Sequence, residues 1–305
     1  MAYLDSYQRQ AALLIRVLPY VAQEDVFALK GGTAINLFLR DMPRLSVDID
    51  LTYLPIQDRA ASLAAIEAAM MRIADRLGHA IPGAKVTPSR LQTEDAVTKL
   101  VVRAPDAQIK IEVTPVLRGS VYPAAARTVA PSVEEAFGFA EIPVVSFADL
   151  YAGKIVAALD RQHPRDLFDV GDLLANEGID DALRLAFLIY LISHPRPIAE
   201  ILAPTLKSLD DEYRRGFEGM TKEPVALAEL EQARVQIIEV MVAGMPGHHR
   251  RFLVDFKRGV PDWESIGLIQ AADLPAVKWK QQNLDKLAPN RRAALSQALE
   301  KLLAP

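Results

Sequence analysis

The sequence contains no cysteine. Disulfides, iron–sulfur clusters and thiolate zinc sites are therefore excluded, and a reducing cytoplasm is the compatible compartment. A long hydrophobic run is also missing. The longest strongly apolar stretch, LAFLIYLI at 185–192, is too short to cross a bilayer and reads as a buried helix, so no membrane partner is expected. The opening residues MAYLDSYQRQ have no basic segment leading into an apolar one, the pattern of a secretory signal. Positive charge is not in excess: the net charge is −4, so any nucleic-acid binding must use a local patch. Fixed-period repeats and low-complexity tracts are absent. What remains is 305 residues, 50% hydrophobic and 24% charged, a globular profile long enough for one large domain or two ordinary ones.

The texture along the chain changes twice. Residues 3–22 pattern as an amphipathic helix, VFAL at 26–29 as a short strand, AINLFLR at 34–40 as a helix, and LSVDIDLTYL at 45–54 as a strand. The alanine-rich stretch 58–77 predicts a helix that stops at Gly78. KVTPSRL, TKLVVRA and QIKIEVTP then read as successive antiparallel strands, with EIPVVSF at 141–147 as a further one. Ser146 suits an N-cap for a helix over 147–161, and Pro164 suits the first turn of the next, which ends near Gly178. From 180 onward the patterns are almost all helical. The expected class is α/β (α+β), a mixed sheet flanked by helices in residues 1–147 followed by an all-helical domain in 148–305.

Chemistry concentrates in LKGGTAINLFLRDMPRLSVDIDL at 29–51. Alternate residues of a strand share a face, so Arg44, Ser46, Asp48 and Asp50 point one way while Val47, Ile49 and Leu51 enter a core. Two adjacent carboxylates repel unless a cation lies between them, and hard oxygen donors favour magnesium or manganese. Gly31, Gly32 and Thr33 stand at a strand-to-helix transition, where glycine admits close approach, backbone N–H groups favour a phosphate, and the Thr33 hydroxyl can add a donor. Glu112 shares the polar face of its strand and would bring a third carboxylate to a site for phosphoryl transfer. Each feature has a plainer explanation. Asp-x-Asp on a strand is most often a solvated face, and Gly-Gly-Thr can simply start a helix. Their order along the chain has few competing explanations.

KGGTA followed by RLSVDIDL resembles the first motif of the DNA polymerase beta-type nucleotidyltransferases, and more narrowly the AbiEii family of abortive-infection toxins. KIVAALDRQHPRDLFDVGDL, with Lys154, Arg165, Asp166 and Asp169, is similar to the family's lysine helix and Arg-Asp segment. The likeness covers roughly residues 25–175. It departs at Glu112, where the wider superfamily commonly has aspartate. The resemblance implies a nucleotidyltransferase in which Asp48 and Asp50 hold Mg2+ or Mn2+ and act catalytically with Lys154 and Asp169. Gly31, Gly32, Thr33, Ser46, Lys154, Arg165 and Asp166 would contact the nucleoside triphosphate. It further implies an RNA acceptor with the tRNA 3′ end favoured, arrested translation, and a cognate antitoxin encoded nearby that neutralises without a stable complex.

Lys154 and Arg161 fall on one helix face, and a lysine suits a triphosphate as a mobile point charge. Asp166 and Asp169 are surface neighbours on the next helix and could pair with Arg165, Arg161 or Lys154, or meet the base or acceptor. Alone, a salt-bridged helix pair would explain them. Two basic clusters, Arg250, Arg251, Lys257 and Arg258, then Lys278, Lys280, Lys286, Arg291 and Arg292, are solvated helical faces by default and RNA surfaces by function. His163 reads as a loop residue, and His248-His249 lacks ligand spacing. Competing functions are transfer to a small molecule or a protein side chain, or a catalytically silent nucleotide-binding module.

Overall fold

The computed structural model describes residues 4–91 and 96–304, so Tyr3 of the first expected helix lies outside the described residues. The chain divides into two compact units, Met1–Ser146 with Phe217–Pro224, and Phe147–Gly216 with Val225–Pro305. No helix among the described residues is long and apolar enough to cross a membrane.

The first unit runs α1 (Asp5–Val21), β1 (Phe27–Lys30), α2 (Gly31–Ala34), β2 (Asp48–Tyr53), α3 (Arg59–Ala80), β3 (Lys85–Leu91), β4 (Ala96–Arg103), β5 (Gln108–Val113), β6 (Ala125–Thr128), α4 (Pro131–Phe137) and β7 (Glu141–Val144). The seven strands form one sheet in the order β3-β4-β5-β2-β1-β7-β6. β2 is parallel to β5 and β1 to β7; the other neighbours are antiparallel. The sheet is therefore mixed, and β3, β4 and β5 within it are the successive antiparallel strands that the sequence patterns predict.

Alternation divides the sheet into two faces. Leu29, Ile49, Leu51, Leu100, Val102, Ile109 and Ile111 are fully or almost fully buried, and they share one face in the observed register. Helices α1 and α3 pack on the sheet, and the burial of these residues from water is the main force holding this unit together. The opposite face carries Lys30, Asp48, Asp50, Lys99, Lys110 and Glu112.

Several boundaries differ from expectation. α3 passes through Gly78 to Ala80, since a glycine in an exposed helical turn weakens a helix without breaking it. Asp58 caps its start by accepting from the Ala61 amide at 2.9 Å. β2 starts at Asp48, not Leu45. Arg44 instead forms an isolated antiparallel bridge with Thr221, and the Leu45 amide donates to the Met220 carbonyl at 2.8 Å. The backbone groups before Asp48 are thus satisfied by the segment Phe217–Pro224 rather than by the sheet. The short β6 and α4 have no counterpart in the sequence patterns.

The second unit is helical: α5 (Phe147–Asp160), α6 (Pro164–Asn176), α7 (Asp181–Ser193), α8 (Ile198–Leu202), α9 (Asp210–Gly216), α10 (Leu227–Ile238), α11 (Gly247–Arg258), α12 (Pro275–Asp285) and α13 (Pro289–Leu302). The apolar run at 185–192 lies in α7, where Phe187, Leu188, Ile189, Leu191 and Ile192 are buried. Gly178 closes α6 with φ +70° and donates its amide to the Leu173 carbonyl at 2.9 Å, a left-handed stop that suits glycine.

Candidate active site

β1 ends at Lys30 and the chain turns at once into a helix, so Gly31 and Gly32 form its first turn rather than a separate loop. After Ala34 the helix winds as a π-helix over Ile35–Leu39. Gly31 has φ +74°, a left-handed conformation that L side chains resist. A Cβ there would lie 2.7 Å from Asp50 Oδ2; one on Gly32 would lie 2.7 Å from Arg44 Nη2 and 3.1 Å from Ser46 Oγ. The space left by the two missing side chains is thus filled from within the chain by Asp50, Arg44 and Ser46.

Thr33 is 1% exposed. Its hydroxyl lies 2.5 Å from the Asp48 carbonyl oxygen and 3.0 Å from Ser46 Oγ. The carbonyl can only accept, so the Thr33 proton is directed to it. Thr33 therefore ties the helix start to the entry of β2, and its hydroxyl is used inside the protein instead of facing solvent. Ser46 is buried beside it, off the strand on which the sequence pattern places it.

Asp48 and Asp50 are both partly exposed on the polar face of β2. Asp50 stands opposite Lys30 on one side and Glu112 on the other, while Asp48 stands opposite Lys110. Glu112 is engaged by Lys99, 2.6 Å from its Oε1. Lys30 donates to Thr114 Oγ1 at 2.8 Å; burial pushes its ammonium pKa down, and Asp50 pulls it back up. Lys30 is not among the residues expected from the sequence. Alternation in FALK sets it opposite in direction to Leu29, and only the register with β2 puts it beside Asp50.

No three acidic, histidine or cysteine side chains among the described residues converge as a metal-binding cluster. The Asp48–Asp50 pair nevertheless fits magnesium or manganese by its donor chemistry. Magnesium is commonly held by one or two carboxylates with water and substrate phosphates completing the shell. Glu112 fits less well, because Lys99 neutralises it.

In the second unit, Lys154 reaches from α5 to α6. Its Nζ lies 2.8 Å from Asp166 Oδ1 and 3.0 Å from Asp169 Oδ2. Arg161 adds two bonds to Asp166, at 2.5 and 2.9 Å. Burial pushes the Asp166 carboxyl up, but the Lys154 ammonium and the Arg161 bonds outweigh it and hold it well below the usual carboxylate range. Two cations and two carboxylates balance, so this cluster pins α5 to α6 as well as offering candidate site residues. Arg165 is partly exposed and gives its backbone amide to the local network. That amide goes to His163 Nδ1 at 3.1 Å, so His163 is the N-cap of α6 and not a loop residue. Burial lowers its pKa, which keeps Nδ1 available as an acceptor.

The two basic clusters are largely occupied. Lys280 is buried and donates to the carbonyls of His194, Pro195 and Arg196; burial brings its pKa down to about 8. Lys257 is also buried. Arg250 binds the carbonyls of Ala243, Met245 and Leu303. Lys278, Arg292 and Arg258 pair with Asp273, Asp285, and Asp255 with Glu300 respectively. Most of the charge that looks concentrated in the sequence is thus engaged or buried in the fold, while Arg251, Lys286 and Arg291 stay exposed.

The family model of the AbiEii nucleotidyl transferase toxin, type IV toxin–antitoxin system, matches residues 12–283. Among solved structures, MenT4, the nucleotidyltransferase toxin Rv2826c from Mycobacterium tuberculosis H37Rv, superimposes with a TM-score of 0.59 at 16% identity, covering 98% of this chain and 94% of that one. A candidate nucleotidyltransferase from H. pylori gives a TM-score of 0.45 at 14% identity over 80% of this chain and 100% of its own. No curated protein matches the chain. The matched span includes both the KGGTA–DID stretch and the lysine and Arg-Asp segment, and the MenT4 likeness extends over the mixed sheet and the helices. The chain belongs to the AbiEii family of nucleotidyltransferase toxins of type IV toxin–antitoxin systems.

Proposed function

We propose that the protein transfers a nucleoside monophosphate from a nucleoside triphosphate to RNA, with the tRNA 3′ end as the favoured acceptor, and so blocks translation and growth. The observation that carries this is the carboxylate pair Asp48 and Asp50 on the open face of β2, with Gly31 packed directly against Asp50. Asp48 and Asp50 would hold magnesium, which neutralises triphosphate charge when bound. The acceptor hydroxyl loses its proton to solvent as its oxygen bonds the α-phosphorus, the bond from that phosphorus to the bridging oxygen breaks, and pyrophosphate leaves. The chain contributes mainly position and charge. Lys30 keeps a cation beside Asp50, and Thr33 and Ser46 hold the approach to β2 in place. Family resemblance adds Lys154 and Asp169 as catalytic residues and Arg165 and Asp166 as nucleotide contacts.

The type IV family implies an antitoxin partner; the extension to this chain is neutralisation without a stable complex. Incubation with labelled nucleoside triphosphates, magnesium and total RNA tests the acceptor. Labelled RNA supports it. Label in a small molecule or a protein, or unconsumed triphosphate, overturns it.

A further inference from the structure

The polar sheet face does not end at the aspartates. Beyond β2, register places Lys110 of β5 beside Asp48, Arg103 of β4 beside Gln108, and Lys85 of β3 beside Arg103. Lys99 and Glu112 stand together on the Asp50 side. Lys85 and Arg103 are exposed and Lys110 is partly exposed. On these three strands the face carries four cations against the one carboxylate Glu112, a net of +3 on a chain whose total is −4. Among the described residues, Lys85 and Lys110 have no carboxylate partner. Among the same residues, Arg103 donates to the neutral amide oxygen of Gln108, at 2.7 Å, and has no carboxylate partner.

We infer that this open face of β3, β4 and β5 is the seat of the RNA acceptor strand, leading its end toward Asp48; the inference rests on the RNA reading above. Charge complementarity selects a polyanion, and the cations run continuously into the carboxylate pair. Three strand spacings make the track about 14 Å wide, suited to a single strand end. β3 does not invite an added β-strand instead: it contains Pro88, and its register shifts between Ser89 and Arg90, two features that blunt a sheet edge. No aromatic side chain stands on this face of β3, β4 or β5, so bases are not stacked there. The face engages the backbone, which makes binding tolerant of sequence and sensitive to salt.

The test is binding of a 5′-fluorescein single-stranded RNA oligonucleotide with a free 3′ hydroxyl, without nucleotide, across a salt series. Three phosphates on Lys85, Arg103 and Lys110 give a log–log slope near −2, or about an eighteen-fold loss from 50 to 200 mM salt. Lys85→Glu with Lys110→Glu should weaken binding at least tenfold at low salt and flatten the slope by about 1.4. Lys85→Ala with Lys110→Ala should flatten it likewise, and the double arginine variant should restore it. Nucleoside triphosphate affinity should stay near wild type in all of them, and Lys286→Glu with Arg291→Glu on the helical unit should bind RNA normally. RNA affinity within twofold of wild type in both reversal and alanine variants overturns the proposal. So does a parallel fall in triphosphate affinity, which would assign the face to the nucleotide. Labelled RNA with harmless reversals removes this surface and leaves the RNA acceptor standing. Failure to label any RNA removes that acceptor and the assignment of the surface with it.

Discussion

Gly31→Ala isolates the close approach at the carboxylate pair. Two costs arise at one position. The φ of +74° puts any L residue in the left-handed region, a cost of roughly 1–2 kcal/mol. The new Cβ would also lie 2.7 Å from Asp50 Oδ2 and 3.3 Å from Asp50 Cβ. Ordinary contact needs about 3.4 Å or more, so the carboxylate must retreat by roughly 0.7 Å or the turn must open. A 1 Å misplacement in a reacting constellation can cost about 10²-fold in rate. The expected outcome is a melting temperature lower by about 2–8 °C and transfer reduced on the order of 10- to 100-fold, measured with labelled nucleoside triphosphate at equal folded protein. Gly78→Ala is the contrast. That glycine sits in α3 with nothing within 4 Å of an added Cβ, so alanine should stabilise by up to about 1 kcal/mol and leave transfer unchanged. Wild-type transfer in Gly31→Ala would show that the exact place of the Asp50 carboxylate does not matter, and would remove the metal assignment of that residue.

Asp48→Ala and Asp50→Ala should each lower transfer by about 10² to 10³ or more with unchanged circular dichroism; near-normal turnover in either purified variant contradicts the role of the pair. Lys154→Ala should destabilise the second unit by about 3–5 kcal/mol, because it leaves Asp166 and Asp169 buried with one ammonium fewer. Denaturant melts that match wild type would contradict the pinning role. If Lys154→Ala and Asp169→Ala both arrest growth like wild type at equal soluble protein, the cluster is structural only. His249 is buried, and burial, with help from His248 and Arg184, lowers its pKa to about 4. In the unfolded chain a histidine titrates near pH 6.5, so on acidification the unfolded state takes the proton first. Stability is full above that pH and falls progressively toward pH 4. His249→Gln should flatten this dependence in melts at pH 7 and pH 5; an equal slope in both proteins would contradict it.

Sequence alone determined what depends on local pattern. Period-two alternation set the polar face of β2 and hence the shared direction of Asp48 and Asp50. The same alternation, carried through QIKIEV, put Glu112 on the polar side of β5. Helical periodicity marked α5 and α6, with Lys154, Asp166 and Asp169 on them. The KGGTA and DID motifs carried the family. Tertiary structure decided whatever depends on which segments meet. Only the parallel register of β2 and β5 places Glu112 and Lys110 beside the aspartates, and only the β4 register gives Glu112 to Lys99. Only the return of Phe217–Pro224 to the first unit ends the strand pattern before Asp48. The basic runs near the C-terminal end of the sequence looked like surface charge, because a chain shows how often lysine and arginine occur but not which carbonyl or carboxylate will face them. Pairing between residues distant in sequence is fixed by packing, and that pairing engages most of the basic side chains of the helices while leaving Lys85 and Lys110 on the sheet without a carboxylate partner among the described residues.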